Sequence, residues 1–202
     1  MRIISGSAAN VILKVPKGYD VRPTPDLVRQ AIFNSLGDRV VGARVLELFG
    51  GTGALSLECM SRGAASAVCI ELAPRHARMI RDNLEATGIP QHLYDLRLQD
   101  VLVAIPQLAQ AGAQFDLIMA DPPFGEKNVG RRSTSFSQKL LDHELLPGLL
   151  APDGMFVLGH TKRDSVTVTD VWKEKKVMKH GDSQMLFLIK KSKPESDAGV
   201  EV

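Results

Sequence analysis

The strongest constraint on the fold is an apolar run that passes through a glycine loop into a helix. Arg44-Val-Leu-Glu-Leu-Phe49 ends in Gly50-Gly51-Thr52-Gly53, and Leu55, Leu57 and Met60 follow at helical spacing until Arg62-Gly63. The same alternation then repeats. Ser66–Glu71 reads as a second strand, and Pro74 suits the first turn of a helix running through Ala77, Ile80 and Leu84 to Gly88. Leu96 and Leu98 alternate with polar residues up to Asp100, and a helix is expected over Val101–Gln110. Phe115–Ala120 is a fourth strand, broken by Asp121-Pro122-Pro123. A helix over about Phe136–Leu150, a fifth strand at Gly154–Leu158, and a closing antiparallel pair from Val166–Thr169 and Met185–Ile189 complete the pattern. Strands alternating with helices predict an α/β fold with an open, doubly wound, mostly parallel sheet.

A different region precedes this unit. Ile3-Ile4 and Val11-Ile12-Leu13 flank Ser5-Gly6-Ser7, which predicts a β-hairpin extension over residues 1–22, ended by Pro16-Lys17-Gly18. Pro23-Thr24-Pro25-Asp26 leads into a helix bearing Leu27, Val28, Ala31, Ile32 and Leu36, with Thr24 or Asp26 as its cap. The sheet domain is expected over 23–191 and a disordered polar tail over 192–202.

Composition narrows the class of function. With 202 residues, 44% hydrophobic and 24% charged, the chain is neither wholly disordered nor a coiled coil. It has no apolar run of the roughly 18 residues that cross a bilayer and no secretory pattern near Met1. Cys59 and Cys69 are expected to be small buried hydrophobes of a reduced, cytoplasmic protein. None of His76, His92, His143, His160 and His180 stands at a ligand spacing, so no metal is expected. The net charge of +2 hides an acidic middle, Val45–His160, between basic flanks at Met1–Arg44 and Thr161–Lys193. Basic flanks suit phosphate contacts and equally suit ordinary surface variation.

Three strand ends carry candidate binding chemistry. The loop has Gly51 and Gly53, but Ser56 holds the third place of a dinucleotide fingerprint, and no Lys-Ser/Thr follows as in a phosphate-binding loop. Glycines there let the backbone approach a ligand closely. Glu71, ending the next strand, is placed to take both hydroxyls of a ribose. Asp100, ending the third, is placed to meet an adenine amine. Asp121-Pro122-Pro123-Phe124 lies where ligands bind in open α/β sheets. A carboxylate and the rigid Pro122 carbonyl can accept both hydrogens of a planar amine, and an aromatic ring can stack on the base that bears it. The plain alternative is a rigid Pro-Pro turn.

Together these stretches resemble class I S-adenosylmethionine-dependent methyltransferases, and the Asp-Pro-Pro-Phe box resembles that of amino-methylating members. Arg22-Pro23-Thr24, Asp26, Val28-Arg29 and Ala31–Asn34 resemble the RPT-x-D-x-VR segment of the RsmD family, and Leu46–Glu58 with Ser61–Ala64 resembles its extended glycine motif. The resemblance runs from Met1 to about Ile189. It implies a Rossmann-like, seven-stranded, mostly parallel sheet with an antiparallel last strand. It implies S-adenosyl-L-methionine as cofactor, held by Glu47, Phe49, Gly51, Gly53, Glu71 and Asp100. It further implies methylation of the N2 amine of guanine-966 in 16S rRNA, as naked rRNA or in the small ribosomal subunit. Asp121, Pro122 and Phe124 are then the catalytic residues, and Arg22, Thr24, Arg29, Pro123 and Lys127 the substrate contacts.

The chain departs from the family pattern in places. Ala8-Ala9-Asn10-Val11 replaces a Gly-Arg-rich hairpin turn, Glu47 and Gly50 replace an aspartate and an alanine, and Gly159-His160 stands where an acid is common. Lys14, Lys17, Arg22 and Arg29 are expected to contact phosphate, with Lys127, Arg131 and Arg132 as a second basic set. Two other functions use the same residues: an adenine-N6 DNA methyltransferase, or a non-catalytic RNA-binding assembly factor.

Overall fold

The computed structural model describes residues 1–16, 24–123, 125, 127–128 and 131–191. Seven strands form one sheet: β1 Arg44–Leu48, β2 Ser66–Glu71, β3 Tyr94–Leu98, β4 Phe115–Ala120, β5 Leu150–Thr161, β6 Trp172–His180 and β7 Ser183–Lys190. Their order is β3-β2-β1-β4-β5-β7-β6. The first five run parallel, and β7 lies antiparallel between β5 and β6. The chain reverses direction across the sheet between β1 and β4, so the carboxyl ends of these two strands border the crevice where open α/β sheets bind ligands.

Both faces of the sheet are covered, and the strand period of two divides the core accordingly. Val45, Ala67, Cys69, Leu117, Met119, Val157 and Phe187 face one core, with α1 Asp26–Leu36, α2 Ala54–Ser61 and α3 Pro74–Thr87. Leu46, Leu48, Ile70, Ile118, Phe156, Leu158 and Leu188 face the other, with α4 Val101–Gln110, α5 Phe136–Leu141 and the single turn α6 Leu146–Leu149.

The N-terminal segment folds back on itself but forms no regular strands. One antiparallel bridge joins Arg2 to Ile12, with the Ile3 amide donating to the Val11 carbonyl at 2.9 Å. Ile3, Ala8 and Leu13 are buried in the first core. The buried Glu58 carboxylate of α2 accepts the Ile4 and Ser5 amides at 2.7 and 3.1 Å. The segment is therefore seated on α2, and the Ala8–Val11 turn presents no arginine at its tip.

Three sequence expectations are corrected. Neither Thr24 nor Asp26 caps α1: Pro25 is the N-cap, without a side-chain cap bond. The expected helix over 136–150 is two pieces: the Leu141 carbonyl that ends the first is taken by Thr169 and Trp172 side chains at 2.9 and 3.2 Å, and Pro147 suits the first turn of the second. Val166–Thr169 is not a strand. The Gln138 side chain pairs with both backbone groups of Thr167, at 2.7 and 3.0 Å, in place of a neighbouring strand. Trp172–His180 supplies the sheet edge instead.

Candidate active site

On the β1–β3 side, the glycine loop is tied to the strand beside it. The Gly51 amide donates to Glu71 at 2.7 Å, and the other Glu71 oxygen accepts the Ala73 amide at 2.7 Å. Gly51 and Gly53 have φ of 57° and 73°, a left-handed conformation that side chains rarely adopt. A Cβ on Gly53 would meet Ile80 and the Tyr94 hydroxyl at 3.1 and 3.2 Å, so this glycine permits packing of the loop on α3 rather than clearing a ligand's path. Phe49, also left-handed at φ 62°, packs its ring 5.1 Å from Phe136. Asp100 caps α4, accepting the Leu102 amide at 2.7 Å through one oxygen.

Glu47, expected among the cofactor contacts, lies beneath the loop instead. It is 2% exposed, and its carboxylate accepts from the Ser56 amide and hydroxyl and from the Cys69 thiol. Burial pushes its carboxyl up to about 7, against the pull of Ser56. The Tyr94 hydroxyl closes this internal network on Ser56 at 2.6 Å. Asn83, fully buried, joins the loop to the N-terminal segment: its amide donates to the carbonyls of Thr52 and Lys14 at 2.9 and 3.1 Å.

On the β4–β5 side the arrangement is open. A cavity of about 560 Å³ is bounded by Thr24 and Pro25 just before α1 and Val28 within it, by Asp121 and Gly125, and by Thr161, Arg163 and the β6–β7 turn. Asp121 accepts a 2.5 Å hydrogen bond from the Thr24 hydroxyl. Enclosure raises its carboxyl above the ordinary aspartate range, and the Thr24 bond pulls it back. A Cβ on Gly159 would stand 2.3 Å from Asp121 Oδ1, so the missing side chain at this position makes room for the carboxylate. Pro122 is buried and Pro123 exposed.

The structure brings Thr24 and Asp121 together at the cavity wall, and Glu71 and Asp100 to adjoining strand ends by the glycine loop. It does not support Arg29 as a substrate contact. That side chain is fully buried, donating to the Arg2 carbonyl and to Asp26 at 2.7 Å, because it pins the N-terminal segment to α1. Lys14 is exposed but paired with Asp82 at 2.9 Å. Lys127, Arg131 and Arg132 are exposed, the last paired with Asp142 at 2.6 Å. Arg22, Lys17 and Phe124 lie outside the described residues, as does the expected tail. Sequence reasoning missed the Ser56–Tyr94 support, Gly159, and His76, which is nearly buried with Nδ1 3.5 Å from Glu71. Among the described residues no cluster of His, Cys, Asp and Glu could hold a metal, and no helix is long and apolar enough to cross a membrane.

Similarity to known proteins extends over nearly the whole chain. Residues 1–189 match the family described as "Conserved hypothetical protein 95". The chain is 32% identical to "Putative rRNA methyltransferase YlbH" of Bacillus subtilis over 162 residues, which are 80% of this chain and 83% of that protein. It is 36% identical over 128 residues to "Ribosomal RNA small subunit methyltransferase D" of Escherichia coli K12, spanning 61% of this chain and 60% of the relative. Among solved structures, "Putative methyltransferase yhhF from Escherichia coli" superimposes with a TM-score of 0.75 at 29% identity, covering 96% of this chain and 99% of that one.

Proposed function

The chain belongs to the family described as Conserved hypothetical protein 95, and from that premise we propose that it methylates the exocyclic N2 amine of a guanine in small-subunit rRNA. It is an S-adenosylmethionine-dependent rRNA methyltransferase. The guanine target, the 16S rRNA or small subunit as partner, and a cytoplasmic location are parts of the proposal.

The residues present fit the cofactor. Glu71 keeps a second lone pair on each oxygen after accepting Gly51 and Ala73, which suits a ribose diol. One oxygen of Asp100 is engaged at the α4 cap, and the other suits an adenine amine. Gly51, with its left-handed backbone, suits a close approach by the ligand. Bound there, the cofactor supplies a methyl group already activated on a sulfonium.

The chain's own task is to position and neutralise. A guanine amine is a weak nucleophile because its lone pair is delocalised into the ring, so alignment carries much of the rate. Asp121 and the Pro122 carbonyl would hold the two amine hydrogens. Asp121 would then stabilise the positive charge that develops on nitrogen, in a cavity where such a charge is poorly screened. Thr24 holds the carboxylate in place and keeps it ionised over a wider pH range than enclosure alone would allow. The target base must leave its stack to reach this cavity.

The observation that carries the reading is Asp121, held by Thr24 at the wall of a cavity with ample room for a base. Incubation of unmethylated 16S rRNA and small subunits with the protein and S-adenosylmethionine, followed by mass spectrometry of nucleosides, tests it. N2-methylguanosine is the expected product; N6-methyladenosine, or no transfer to either substrate, would contradict it.

A further inference from the structure

Beside Asp121 the cavity wall hides a group of polar atoms with nothing to bind. Asp164 is 1% exposed, and among the described residues neither of its carboxylate oxygens has a hydrogen-bond partner. His160 and Thr161, each 8% exposed, leave Nε2 and Oγ1 unpartnered. Both groups within reach of His160 Nδ1 are carbonyl oxygens, of Thr161 at 2.9 Å and Asp164 at 3.1 Å. Nδ1 therefore carries the proton, and in the neutral ring Nε2 is an acceptor. Native proteins rarely leave such atoms unpaired, and a lone buried carboxylate is the most costly of them.

These acceptors adjoin the cavity. Thr161 and Gly125 line it with Asp121. A Cβ on Gly125 would stand 2.5 Å from Ser135 Cβ and 2.8 Å from Asp164 Oδ2, so the carboxylate packs directly behind a residue that lines the open volume and meets a base there once Gly125 shifts aside. The unmet demand is for hydrogen-bond donors. The Watson–Crick edge of guanine presents three N–H bonds, two on the amine and one on ring N1. Adenine has a bare lone pair at N1. If Asp121 and the Pro122 carbonyl take the amine, the N1–H still needs an acceptor.

We propose that Asp164 is that acceptor: its carboxylate receives the ring N1–H of the target base and so selects guanine over bases whose N1 is a lone pair. This rests on the amine-methylation reading above and deepens it. Asp164 is a specificity residue here, since it does not touch the reacting nitrogen. Its unpaired state in the free protein is the cost that makes the wrong base, which would turn a lone pair towards a carboxylate, a poor occupant.

The test uses the intact protein and 16S rRNA in which 2-aminopurine replaces the target guanine by ligation. That base keeps the 2-amine but has no N1–H. In single-turnover assays with saturating S-adenosylmethionine, the parent should methylate guanine at least about a hundredfold faster than 2-aminopurine. Asp164→Asn can turn its amide to donate to a bare N1. It should lose rate on guanine, gain on 2-aminopurine, and narrow the ratio to about tenfold or less. Asp164→Ser, whose hydroxyl both donates and accepts, should narrow it too and serves if the Asn variant fails to fold. Equal rates on the two bases for the parent, or an unchanged ratio in folded variants that still bind cofactor, would overturn the proposal. A parent that methylates neither base would instead sink the N2-amine reading on which it rests.

Discussion

The two halves of the crevice are built in opposite ways. On the β1–β3 side the acids are already engaged by the chain: Glu71 by the Gly51 and Ala73 amides, Asp100 by Leu102, Glu47 by Ser56. On the β4–β5 side, among the described residues, Asp121 has one bond, from Thr24, and Asp164 has none. A cofactor that is the same at every turnover can be met by a surface fixed in advance. On the proposed reading, a base that must be captured out of rRNA is met by acceptors left unpaired until it arrives, which ties their satisfaction to the correct ligand.

Substitutions on each side should therefore fail differently. The largest loss is expected at Gly53. Its positive φ and the contacts a Cβ would make with Ile80 and Tyr94 mean that Gly53→Val strains the loop by at least about 2 kcal/mol. Calorimetry should show cofactor binding abolished, with a lower melting temperature. Gly159→Ala tests the other side. Its methyl group would displace Asp121 Oδ1, and single-turnover transfer should drop roughly tenfold to a hundredfold while cofactor affinity stays at the parent value. A parallel loss of cofactor affinity would mean that the halves are coupled.

Smaller changes sharpen the contrast. Enclosure already raises the Asp121 carboxyl and Thr24 lowers it, so Thr24→Val should raise it further. Protonation removes an acceptor, so the acid limb of the rate profile should move to higher pH, with a plateau loss under about tenfold. An unmoved limb would deny Thr24 its hold on the carboxylate. The least effect on transfer is expected from Glu47→Gln. Because the folded carboxyl titrates near 7 against an ordinary 4.5, the folded state binds more protons between these values, and stability falls as pH rises through that window. The Gln variant should lose this slope, gaining on the order of 1–3 kcal/mol above pH 7, with turnover near the parent's. Denaturant titrations at pH 5 and pH 8 measure the difference.

The same contrast explains what could be read from the sequence. β1, β2, β4 and α4 were legible almost to the residue, because short apolar runs and the capping Asp100 act locally, whereas β5, expected at Gly154–Leu158, runs from Leu150 to Thr161. Glu71 and Asp100 were legible as strand-end acids for the same reason. Arg29 was misread as a surface contact, since only tertiary packing shows that α1 turns it inward against Arg2. Val166–Thr169 has the alternation of a strand, but the Gln138 side chain, nearly thirty residues earlier, occupies its backbone. Gly159 looked like a lost acid. Its use as space for Asp121 depends on two strands meeting side by side, which no local pattern encodes.

Single-turnover methylation of 16S rRNA by Asp121→Ala, with saturating S-adenosylmethionine and cofactor affinity measured on the same preparation, tests the central claim most directly. The account predicts unchanged cofactor affinity and a transfer rate about a hundredfold lower or worse, with Asp121→Asn milder because its amide oxygen still accepts one hydrogen. A near-parent rate for the alanine variant would contradict the amine-orienting role of Asp121, and with it the assignment of the β4–β5 side to the base.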